Sequence, residues 1–109
     1  MRLAAVMSDL MLFSRIESAA TAADASLVRV DTPAQLPDNL DLILVDWSAR
    51  APDWAEGLLT RTGNARVILF GRHTDLEAHA AARAAGLGPM RARSKLVLGL
   101  PELFGPHPT

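Results

Sequence analysis

Short apolar runs alternate with segments whose apolar residues recur every three or four positions, from the start of the chain almost to its end. Leu3–Met7 is the first run and predicts a strand. Ser8 or Asp9 then stands where a helix cap is needed, and Leu12, Ile16, Ala19, Ala20 and Ala23 follow at helical spacing. Ser26–Val30 predicts a second strand. Thr32-Pro33-Ala34-Gln35 has the form of a capping box with proline at the first helical position, and Pro37 stops that helix within one turn. Leu40–Val45 is apolar except at Asp41, the pattern of a strand covered on both faces. Asp53 and Glu56 have capping-box spacing and open a helix expected to stop at a left-handed Gly63.

Ala65–Phe70, apolar apart from Arg66, predicts the fourth strand. Thr74 and Glu77 form a further capping box, for a helix running to Ala85 and stopping at Gly86. Pro89–Arg93 predicts a fifth strand. Ser94–Phe104 predicts a last helix broken by Gly99 and Pro101, too short to cover that strand fully. Gly105–Thr109 reads as a loose tail. Strands alternating with helices imply a parallel sheet with right-handed crossovers. The expected fold is α/β: one three-layer, flavodoxin-like domain over residues 1–109. It has five parallel strands in the order 2-1-3-4-5, with short second and last helices.

Composition narrows the function. The 109 residues are 50% apolar with a net charge of −1, so no basic excess points to nucleic acid or to an anionic membrane. The absence of cysteine removes disulfides, thiolate metal sites and cysteine nucleophiles. Met1–Met7 is too short an apolar stretch for a signal peptide, and no run reaches the length of a membrane span; the expected location is the cytoplasm. His73, His79 and His107 have no metal-ligand spacing. No serine lies in a nucleophile-elbow pattern, and Gly86-Leu87-Gly88 runs into proline rather than a third glycine. These absences predict a protein that is not an enzyme.

Leu42-Ile43-Leu44-Val45 ends on Asp46, Val67-Ile68-Leu69-Phe70 leads into Gly71-Arg72-His73, and Ala81-Ala82-Arg83-Ala84-Ala85 precedes Gly86. In these features the chain resembles the receiver domains of bacterial response regulators over about residues 2–104. The resemblance implies that Asp46 corresponds to the phosphoacceptor. It also implies companions: an acidic pair after strand one to hold Mg2+, a hydroxyl after strand four, and a lysine after strand five. Phosphoryl transfer to a carboxylate gathers negative oxygens that such groups must neutralise. This chain departs at nearly all of them. The acidic pair falls on Met7 and Ser8, leaving Asp9 beside it; the hydroxyl falls on Gly71 and the lysine on Arg93. A switch aromatic falls on Met90, and a proline after the phosphoacceptor falls on Arg50.

The chain is therefore similar to an atypical receiver, a pseudo-receiver. That likeness implies a non-catalytic signalling module that binds another protein or itself, with no cofactor. Two alternatives stay open: a phosphorylatable receiver with Asp46 as phosphoacceptor, and a small α/β enzyme or nucleotide-binding subunit. In the first, Asp9 and Asp46 would hold Mg2+. The candidate interaction surface is Trp47, Trp54, Leu103 and Phe104. If the broken last helix leaves Leu96, Leu98, Leu100, Leu103 and Phe104 partly uncovered, a homodimer or a partner protein is expected to cover them.

Overall fold

The computed structural model describes residues 1–104. The expected loose tail, Gly105–Thr109 with His107, lies outside the described residues. Five strands pair in one parallel sheet: β1 (Arg2–Val6), β2 (Ser26–Val30), β3 (Leu42–Asp46), β4 (Arg66–Gly71) and β5 (Arg91–Ala92). Their order is β2-β1-β3-β4-β5. Between them run α1 (Leu10–Ala22), α2 (Trp54–Arg61), α3 (Leu76–Ala84) and α4 (Arg93–Phe104). Short 3-10 turns at Pro33–Gln35 and Trp47–Ala49 complete the chain path.

Alternation along the strands divides the core into two layers. Leu3, Ala5, Leu44, Ile68 and Phe70 face α1 and α4, meeting Ile16, Leu96, Leu100 and Phe104. Ala4, Val6, Ile43, Val45 and Leu69 face α2 and α3, meeting Trp54, Leu58, Ala78 and Ala82. A sheet covered on both sides needs apolar residues at odd and even positions alike, which is why β3 and β4 read as continuous apolar runs.

Several local expectations are corrected. The last helix is continuous over its 12 residues, with Pro101 inside it. Proline in a helix costs about 3 kcal/mol and glycine about 1. Leu96, Leu100 and Phe104, four residues apart, are all buried. Each gains about 1.5–3 kcal/mol from that burial, which outweighs both breakers. The N-cap of α3 is Asp75 rather than Thr74, and its carboxylate accepts from the Ala78 amide. Thr32 makes no side-chain cap; instead the Gln35 side chain accepts from the Asp31 amide at 2.8 Å. Asp53 likewise precedes α2 without a side-chain bond. The fifth strand is only two residues long. Gly86 does stop α3: at φ +71° it lets Leu87 donate to the Ala82 carbonyl.

Register brings the carboxyl ends of the strands together. Val6 lies beside Val45, Asp46 beside Phe70, and Gly71 beside Ala92. The chain leaves β1 toward β2 on one side, while β3 lies on the other. This is a topological switch point, where α/β sheets open their functional crevice.

Candidate functional site

Asp46 ends β3 and is only 2% exposed. Its Oδ2 accepts from the Arg93 guanidinium at 3.1 Å, while Oδ1 is buried without a partner. Arg93 is the first residue of α4, directly behind β5, so sheet register and helix start together aim it at the end of β3. Its other terminal nitrogen lies 3.9 Å from Asp9 Oδ2. Asp9 is the N-cap of α1, its Oδ1 accepting from the amides of Met11 and Leu12. Asp9 and Asp46 thus meet across one guanidinium. The described residues contain no group of three or more His, Asp or Glu able to hold a metal.

Burial pushes the Asp46 carboxyl above its ordinary range, and the Arg93 charge and hydrogen bond only partly oppose this. Asp9 adds to the upward push and Arg72 opposes it. A carboxyl raised on folding gives the native state extra affinity for a proton. Its contribution to stability is therefore greatest below the unfolded value near 3.8 and is lost as pH rises through the folded value. Asp46→Asn is expected to flatten this decline, measured as urea unfolding free energy from pH 4 to pH 7. A variant whose stability falls with pH as steeply as the parent's would contradict it.

Where the sequence comparison places a hydroxyl on Gly71, the structure has another group in that space. A Cβ at Gly71 would meet the Ser48 hydroxyl oxygen at 2.3 Å and the Met90 sulfur at 2.7 Å. Ser48 comes from the 3-10 turn after Asp46, and its oxygen accepts from the Arg72 amide at 3.0 Å. It also faces the Asp75 carboxylate. That carboxyl is held below the usual range by the Ala78 amide first and by the Ser48 hydroxyl as well. Ser48 therefore joins the turn after β3 to the loop after β4. Sequence reasoning passed over this residue; the available signal was a serine two positions beyond Asp46 facing a glycine at the end of β4.

The proposed contact residues are placed differently from expectation. Trp47 is buried, its indole N–H donating to the Ala78 carbonyl at 3.0 Å, with the Arg50 guanidinium 5.4 Å above the ring. Trp54 and Phe104 are also buried, and Leu103 is half-buried. Trp47 is folded onto the sheet by the turn after β3, Trp54 by the start of α2 and Phe104 by the continuous α4. Of the leucines and phenylalanine named for a patch on the last helix, only Leu98 stands fully exposed. The uncovered patch that argued for a homodimer is absent from the described residues.

No family model matches the chain, and no curated protein matches it. Among the solved structures similar to it are two receiver domains. The non-phosphorylated HemR receiver domain from Leptospira biflexa superposes with a TM-score of 0.69 at 13% identity, over 99% of this chain and 97% of that one. A response regulator receiver domain protein from Clostridium thermocellum gives 0.66 at 12% identity, over 94% and 93%. With its strand order, its two helical layers and Asp46 at the switch point, the chain has the fold of response regulator receiver domains.

Proposed function

We propose that this domain is a receiver-fold protein-interaction module that does not run a phosphorylation cycle and works through a fixed surface. The observation that carries this reading is the Asp46–Arg93 ion pair, formed by the residue that stands where receivers place a lysine. A guanidinium already seated between Asp46 and Asp9 repels a divalent cation from the same two carboxylates. The space of the receiver hydroxyl is filled by Ser48, which is bonded to the Arg72 amide. The groups that would shift on phosphorylation are thus tied to each other. On this reading the chain has no cofactor, its partner is a protein, and it acts in the cytoplasm. None of the helices in the described residues is long and apolar enough to cross a membrane.

A second reading keeps Asp46 as phosphoacceptor, and the unpartnered Oδ1 is the observation in its favour. Incubation with Mg2+ and acetyl phosphate, followed by intact mass measurement, separates the two. The expected result is no adduct. A gain of one phosphoryl group, lost in Asp46→Asn, would establish the second reading instead.

A further inference from the structure

We infer that the Arg93 guanidinium is the resident cation of the crevice: it does within the chain the work of the divalent ion that a receiver-like crevice implies, and it keeps such an ion out. This rests on the proposed function above and names the residue that holds its site fixed. The oxygens a Mg2+ ion would need are already committed. Met7 and Ser8 stand where an acidic pair would hold the ion. The Met7 side chain is buried in the layer beneath α1 and α4, and its carbonyl accepts from the Arg29 guanidinium at 3.1 Å. Asp9 gives Oδ1 to the amides of Met11 and Leu12, and its Oδ2 lies 3.9 Å from Arg93. Asp46 gives Oδ2 to Arg93 at 3.1 Å. Of the four carboxylate oxygens only Asp46 Oδ1 has no partner. Mg2+ demands a near-octahedral shell of oxygens and sheds its water reluctantly, so it does not fit the crevice as built.

Three observations give the ion's role to Arg93. Asp46 is the one buried charged side chain among the described residues, and a buried carboxylate needs a cation or hydrogen-bond donors beside it. Arg93 is the one cation among the described residues that meets two carboxylates, spanning the start of α1 and the end of β3 as a bridging ion would. It also opens α4, a helix with no acid in its first turn. The positive end of a helix dipole disfavours a cation there, and the carboxylates of Asp46 and Asp9 offset that cost. A tethered cation loses no translational freedom on pairing, whereas a free ion does. The unpartnered atoms agree with this assignment. Arg93 Nε and Asp46 Oδ1 are both buried without a partner, and they are the donor and acceptor that a two-bonded guanidinium–carboxylate fork joins. The one free carboxylate oxygen thus has a matching donor on the residue already seated beside it.

The test titrates Mn2+ into the isotope-labelled protein and reads paramagnetic broadening of its amide NMR signals. The parent is expected to show no broadening centred on Asp9 and Asp46. Arg93→Gln removes the charge at similar size. It should bring broadening to the amides of residues 8–10 and 46–48, with Mn2+ affinity there raised about tenfold or more. Its unfolding midpoint should lie below the parent's and rise with added Mg2+, while the parent's stays in place. Arg93→Lys keeps a charge that cannot span both carboxylates, so it should fall between the two; it also carries the test if Arg93→Gln does not fold. Asp46→Asn added to either variant should abolish the gained binding. Broadening centred on Asp9 and Asp46 in the parent, or folded variants that stay closed to Mn2+, would overturn the inference. The acetyl phosphate experiment fails independently. A parent that admits Mn2+ but takes no phosphoryl group sinks this inference and leaves the proposed function standing. A parent closed to Mn2+ that is nonetheless phosphorylated does the reverse.

Discussion

Leu44→Ala is expected to lower the unfolding free energy by about 2–5 kcal/mol, the range for truncating a buried large aliphatic side chain. Leu44 is fully buried in β3, between Ala5 of β1 and Ile68 of β4. Its side chain belongs to the layer beneath α1 and α4, with Phe70, Leu96 and Leu100. Strands on both sides hold the backbone in place, so the site cannot collapse onto the missing atoms. The loss combines transfer of the deleted methyls with the void left behind. Ile68→Ala, on the neighbouring strand in the same layer, should behave alike. A domain of this size has about 5–15 kcal/mol of stability in all, so either change removes a large share. Denaturant unfolding would show a lower midpoint at unchanged slope. A loss below about 1 kcal/mol for either variant would place that strand at an edge and contradict the sheet order.

Restoring a hydroxyl side chain at the end of β4 is expected to damage the fold rather than to build a phosphorylation site. Threonine at position 71 would set its Cβ 2.3 Å from the Ser48 oxygen and 2.7 Å from the Met90 sulfur. Met90 is flexible enough to yield. Ser48 is not, because its oxygen accepts from the Arg72 amide and its hydroxyl lies against Asp75. Overpacking of this kind costs about 1–3 kcal/mol. In a Ser48→Gly background the same Gly71→Thr change should cost at most half as much, since the immovable neighbour is gone. A double-mutant cycle by urea unfolding measures this coupling directly. Equal penalties in the two backgrounds would show that Ser48 and Gly71 do not share the space. The cycle also bears on function: a hydroxyl after β4 and the hydroxyl after β3 are alternatives, and this chain has the second.

The buried Phe104 changes how the C-terminal face is understood. A charge introduced there would strike the layer beneath α4, not an interface between molecules.

The sheet was legible in the chain itself because its determinants are local or periodic. Each strand is an apolar run bounded by turn residues, each helix repeats at 3.6, and covering both faces of a sheet demands apolar residues at every position of a central strand. Asp46 could be placed at a strand end for the same reason, and Asp9 at a helix cap. Other features depend on which distant residues meet. Arg93 reaches Asp46 across 47 positions because β5 and β3 flank β4 in the sheet. Ser48 fills the space at Gly71 because the turn after β3 folds over the end of β4. Trp47 stood as a candidate contact residue until Ala78 supplied the acceptor for its indole N–H. Local propensity broke the last helix at Gly99 and Pro101, and only the packing of Leu96, Leu100 and Phe104 on the sheet held it together. A breaker acts within one turn of the chain, whereas burial sums over every residue of a helix face, so tertiary contact decided that segment.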